Sequence, residues 1–157
     1  MRSANRLIAS LALPLALAAC GGDDQERLTK TQYEQRVRAE YAEVQRAFRA
    51  TNVTGLALLA DRIADAQDQL RDMADSLDDI EPPAEVATEN RQVVGGLRTY
   101  ADQLDELREA AEDEDAAAVR AIQERSGLLG ASSVERIAEA AEAMKFKGYD
   151  LGPIAEE

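Results

Sequence analysis

Histidine and tryptophan are absent from these 157 residues, cysteine occurs once, and only 4% of residues are aromatic. Each shortage removes a class of chemistry. Without histidine there is no Ser-His-Asp triad or Cys-His relative, no imidazole acid–base catalyst, and little prospect of a zinc or iron site. The Glu-x-x-His pairs of di-iron helix bundles have no counterpart either. A single cysteine permits neither an intramolecular disulfide nor a thiolate metal cluster. Basic charge is also short: 18 basic residues face 31 acidic ones, a formal charge of −13. Such a chain is repelled by nucleic acid, so a nucleic-acid partner is excluded.

The apolar residues that are present begin at the N-terminus. Arg2 and Arg6 supply a positive start, and Leu7 to Ala19 form an uncharged run interrupted only by Ser10 and Pro14. That run has the length of a signal-peptide core and is well short of the roughly 20 apolar residues of a membrane-spanning helix. It ends in Leu17-Ala18-Ala19-Cys20, which resembles the lipobox of bacterial lipoproteins. The resemblance implies cleavage before Cys20, acylation of its thiol, and a cell-membrane address on the extracytoplasmic side (periplasmic where the host has an outer membrane). It also leaves no free thiol for catalysis. Because one acyl chain anchors only marginally, the two or three chains implied by this family matter for attachment.

Residues 1–19 are thus expected to be a signal peptide, with residues 20–28 a lipidated cysteine and short polar tether. Loss of Arg2 and Arg6 leaves 16 basic against 31 acidic residues, a formal −15. The remaining chain is long enough for one domain with its own core. Alanine and leucine dominate its apolar content, while proline and glycine only punctuate it, as suits a helical protein.

Periodicity predicts four helical segments. The first, 29–50, places Tyr33, Val37, Tyr41, Val44 and Phe48 on one face. The second, 55–80, carries Leu56, Leu59, Ile63, Ala66, Leu70, Met73, Leu77 and Ile80 in alternating steps of three and four, a heptad seam. Pro82-Pro83 ends it. The third, 83–111, repeats Val86, Asn90, Val93, Leu97, Tyr100, Leu104 and Leu107, and the acidic run Glu112–Asp115 forms the next turn. The fourth, 116–145, uses Val119, Ile122, Leu129, Ile137, Ala141 and Met144, with an irregularity expected at 126–130. The expected fold is all-α: an up-down-up-down four-helix bundle with heptad-like seams over 29–147 and a tail at 148–157. A three-helix core with a loosely docked first helix is the alternative.

Several residues are candidates for chemistry. Asp113, Asp115 and Glu124 stand at positions one, three and twelve of a calcium loop, but Ala117 and Ala118 occupy positions needing an oxygen ligand and a glycine. Ser126, Ser132 and Ser133 with Lys145 would be a Ser-Lys pair, though no motif supports it. Asn90 on an apolar seam reads as register-fixing. Gly95-Gly96 in mid-helix reads as a close helix approach or a kink lining a pocket. Phe146, Tyr149 and Leu151 in the C-terminal stretch have two readings: they fold back to close the bundle end, or they form a docking surface for a partner. No catalytic residue, metal or cofactor is expected, and Cys20 is the one modification site.

The whole chain resembles the small helical lipoproteins of high-GC Gram-positive bacteria, on the lipobox, the heptad helix, the Pro-Pro break and the late Lys145-x-x-Gly148-Tyr149. That resemblance implies no activity. The expected function is a membrane-anchored, non-catalytic interaction module for another envelope protein. The alternative is a binder of a small molecule or cation, within the bundle or at its acidic helix ends.

Overall fold

The computed structural model describes residues 27–50, 54–126 and 131–155. Cys20, the expected signal peptide and residues 20–26 of the expected tether lie outside the described residues. The elements are α1 (Lys30–Ala50), α2 (Leu56–Asp78), a 3-10 turn (Ala84–Val86), α3 (Ala87–Gln103), α4 (Asp105–Glu112), α5 (Ala116–Ser126), α6 (Ala131–Phe146) and a last 3-10 turn (Gly152–Ala155). All elements among the described residues are helical. None of these helices is long and apolar enough to cross a membrane.

Local sequence accounts for most boundaries. Thr29 and Gln32 form a capping box at the start of α1: the Thr29 amide donates to Gln32 Oε1 at 2.9 Å, and the Gln32 amide to Thr29 Oγ1 at 3.4 Å. Asp115 caps α5 through Oδ1, which accepts from the Ala117 and Ala118 amides at 3.0 and 2.9 Å. The start of α2 has no such side-chain cap. Gly55 takes the N-cap position at φ +107 and no side chain caps the helix. At the other end of the chain, α6 stops at Gly148, whose φ of +84 suits a residue without Cβ. The Tyr149 amide returns to the Met144 carbonyl at 3.1 Å, closing that turn.

The expected count of four segments is corrected to six α-helices among the described residues. The third segment breaks at Leu104, between α3 and α4, with no proline or glycine there. The cause comes from a neighbouring helix. Gln67 of α2 is buried and donates through Nε2 to both the Ala101 carbonyl and Asp105 Oδ1, each at 2.8 Å. The Ala101 carbonyl also accepts the Leu104 amide at 3.2 Å, a tightened turn in place of a regular α-helical bond. The fourth segment is two helices, α5 and α6, and the irregularity expected at 126–130 falls mostly outside the described residues.

Helix α2 sits at the centre, packing against α1, α3 and α4, while α3 packs on α6. Ile63, Ala66, Leu70, Met73 and Leu77 of its seam are all buried. From α1 come Tyr33, Val37 and Val44; from α3, Val93, Leu97 and Ala101; from α6, Ala140, Ala141 and Met144. A satellite cluster of Ala60, Ala111 and Val119 joins α2, α4 and α5. Helix α1 is not loosely docked: besides its buried face, Arg36 donates to Ser76 Oγ, which donates on to Glu40. Gly96 is a point of close approach between α3 and α6. A Cβ there would lie 2.5 Å from Ile137 Cγ1 and 3.2 Å from the Ser133 carbonyl oxygen, whereas one at Gly95 would meet nothing within 4 Å.

Candidate functional site

The apolar stripe of the first helix is buried unevenly along its length. Tyr33, Val37 and Val44 are buried, but Tyr41 and Phe48 are only half-buried. They face a groove of about 760 Å³ between α1 and α6. One wall is Tyr41, Val44 and Phe48; the other is Val134, Ile137 and Ala138; Leu70, Leu97 and Tyr100 form the floor. Ile154 lies at the groove as well, brought there by the C-terminal 3-10 turn. The size is that of a ligand or peptide pocket.

Phe48 of the wall stacks on Tyr100 of the floor, ring centroids 5.7 Å apart and planes 1° from parallel. Burial of the Tyr100 phenol raises its pKa. The charged and amide members of the lining, Gln45, Arg49 and Glu135, are half-buried or exposed. The site is therefore an apolar trough with polar margins. Val134, on the α6 wall, is 47% exposed.

At the opposite end of α1 the chain is tightly closed. Tyr33 donates to Asn90 Oδ1 at 2.9 Å, and Asn90 Nδ2 donates to the Leu77 carbonyl at 2.9 Å. Asn90 is thus a buried brace between α1, α2 and α3. The Tyr149 ring meets Tyr33 edge-on, centroids 6.0 Å apart, and its hydroxyl donates to Glu85 Oε1 at 2.7 Å. Burial, together with neighbouring negative charge or a hydrogen-bonded carboxylate, drives both phenol pKa values up. The hydrogen bond from Tyr149 holds the Glu85 carboxyl below its usual range, and the one from Lys147, at 2.6 Å, does the same for Glu89. Lys30 donates to the Gly148 carbonyl and lies 5.2 Å from the Tyr149 ring centroid.

This closure decides where the three candidate docking residues sit. Tyr149 and Leu151 are core residues, 3% and 2% exposed, while Phe146 projects from the end of α6 at 85%. The fold-back reading describes Tyr149 and Leu151; Phe146 alone is on the surface. The serine–lysine pair is not assembled. Ser133 is buried and bonds Gln103 at 2.8 Å, and Lys145 lies 12 residues further along α6, about 18 Å at 1.5 Å per residue. Asp115 is engaged as a helix cap, and among the described residues no three carboxylates gather where one metal ion could bind. Gly96 serves close packing; Gly95 has open space beside it, with its carbonyl accepting from Thr99 at 2.8 Å.

The sequence pattern does not single out the groove. A signal exists nonetheless: the stripe on α1 runs through five positions, two of them aromatic at its far half, without a matching face assigned to cover them. Comparison with protein-family models, with curated proteins and with solved structures finds no match.

Proposed function

We propose that this chain is an envelope lipoprotein, anchored through an acylated Cys20 at the extracytoplasmic face of the cell membrane. Its helical domain is a non-catalytic binding module. In this reading α1, α2, α3 and α6 form an up-down-up-down four-helix frame, with α4 and α5 as an appended hairpin. The groove between α1 and α6 receives an amphipathic helix of another envelope protein.

One observation carries the proposal: a mainly apolar trough of about 760 Å³ lies between two helices, lined by Val44, Phe48, Leu70, Leu97, Val134 and Ile137. Apolar side chains at helical spacing on both walls suit the helix-in-groove mode, in which anchors at i, i+3 or i+4 and i+7 enter together. Small-molecule sites add a few buried, convergent polar groups that fix orientation. Arg49 and Glu135 are exposed and Gln45 is only half-buried, which favours a protein partner over the small-molecule alternative.

Two variants test the two halves. Cys20→Ala is expected to lose labelling by a palmitate analogue and to leave the membrane fraction; full retention of the variant would remove the anchor. Ala138→Trp places an indole in the groove from a half-buried wall position. A photo-crosslinker at Val134 should capture a partner in wild type and lose it in Ala138→Trp with circular dichroism unchanged. Undiminished capture would remove the groove.

A further inference from the structure

The end of the domain that leads toward Cys20 has an unusual surface. Arg27, the first described residue, bonds the Pro82 carbonyl at 2.9 Å and Glu81 at 2.6 Å, which fixes the chain's entry beside the α2–α3 connection. The end of α6 lies at the same place, because Lys147 bonds the Glu85 carbonyl at 2.6 Å. Phe146 therefore stands at the entry end. It is 85% exposed, against 43% for Leu58 and 47% for Val134, the other two large exposed apolar residues among those described. Lone exposed apolar side chains are common and need no explanation by themselves. This one is flanked by Lys145 and Lys147, and with Lys30 the end holds all three lysines of the chain.

We infer that this end of the bundle rests on the lipid bilayer, with the Phe146 ring inserted among the headgroups. The inference rests on the anchored reading of Cys20. Seven residue steps separate Cys20 from Arg27, at most about 25 Å of extended chain. An acylated Cys20 would thus hold the entry end within reach of the membrane, and the phenyl ring is the apolar group presented there. Lysine suits this setting, since its long stem lies along apolar surface while its ammonium reaches water or phosphate. Lys145 is exposed, and Lys147 and Lys30 are close to Glu89 and Glu34. Those two counterions, with Glu81 and Asp150 nearby, keep the end from being a cationic patch. Insertion is carried by the ring, so it varies little with the lipid's charge.

The absence of tryptophan from the chain supplies a clean probe. Phe146→Trp puts a single reporter on an exposed position, and Leu58→Trp puts one near the start of α2. About 30 Å of helix separates Leu58 from the α2 end beside Arg27. Each acylated full-length protein is reconstituted into phosphatidylcholine vesicles containing lipid spin-labelled close to the headgroup. The expected result is a blue-shifted emission from position 146 that loses most of its intensity to the spin label, and an unquenched emission from position 58. Partial replacement by phosphatidylglycerol should leave both signals in place.

Quenching at neither position in vesicle-bound protein overturns the inference while the anchor stands. Quenching at both means the domain lies flat, and overturns it too. A blue shift at 146 without lipid quenching means a protein or a second copy covers the ring, and this likewise overturns it. The anchor is read separately by Cys20→Ser, which should release the protein from vesicles; equal retention of wild type and variant would count against the anchor, whatever the tryptophans report.

Discussion

Two adjacent glycines in one helix should respond to the same substitution with opposite signs. Gly95 and Gly96 both lie inside α3, where glycine costs about 0.5–1 kcal/mol relative to alanine through backbone entropy. At Gly95 a methyl group meets nothing within 4 Å, so Gly95→Ala should recover that amount and raise the melting temperature by a few degrees. At Gly96 the methyl would stand 2.5 Å from Ile137 Cγ1 and 3.2 Å from both Ile137 Cδ1 and the Ser133 carbonyl. Isoleucine is branched at Cβ and has few rotamers to retreat into, and the carbonyl belongs to the α6 backbone. Overpacking of this kind costs about 1–3 kcal/mol, which exceeds the propensity gain. Gly96→Ala should therefore destabilise by roughly 0.5–2 kcal/mol net. Urea unfolding followed by circular dichroism measures both. Ile137→Ala removes Cγ1, so the double variant Gly96→Ala/Ile137→Ala should be more stable than the sum of the single effects predicts. Equal responses at 95 and 96, or strict additivity in the cycle, would refute the close approach of α3 and α6.

Buried leucines should separate by how much of their surroundings is closed. Leu77 is fully buried, so its change to Ala should fall in the upper part of the roughly 2–5 kcal/mol range, while Leu97 borders the groove and should cost about 2–3 kcal/mol; urea midpoints that rank the two the other way would contradict an open groove. Acid should weaken the closed end. Glu85 and Glu89 have depressed pKa values in the fold, so their stabilisation is present above the ordinary carboxylate pKa of about 4.3 and is lost as pH falls through the folded values. Melting temperatures taken between about pH 6 and pH 3 should fall less steeply in Glu85→Gln and Glu89→Gln than in wild type; identical slopes would mean that neither hydrogen bond matters to stability.

Particular residues show why some of the architecture could be read from sequence and some could not. The heptad spacing on α2 predicts a buried face, and Ile63, Ala66, Leu70, Met73 and Leu77 occupy it. Such a seam needs no knowledge of the partner helix, because the central element is apolar wherever it is surrounded. The break at Leu104 is different in kind. Its cause is Gln67, 37 positions earlier, whose amide takes a backbone carbonyl out of regular α-helical pairing. Nothing local to Leu104 marks it. The C-terminal tail lies between these cases. Gly148 and its lysines announce a helix end, but whether the next residues fold inward depends on Tyr33 and Glu85, which are remote in sequence.

The groove follows from the same distinction between local pattern and distant partner. Periodicity records that a helix face is apolar, not what covers it, so Tyr33 and Phe48 look alike on the α1 stripe. In the fold they part company. Tyr33 is sealed by Tyr149, Asn90 and Met144 where α1 meets the end of α6. Further along the bundle, α6 is drawn to α3 by the glycine at 96 and by the Ser133–Gln103 hydrogen bond, while α1 stays against α2. The two outer helices are held to different neighbours, and the space between them is left apolar and open. Closure at one end and separation at the other make the two ends different: the closed one carries the N-terminal entry, Phe146 and the three lysines, and the open one carries the trough. A module tethered at its closed end would present the trough away from the bilayer, where another envelope protein could enter it.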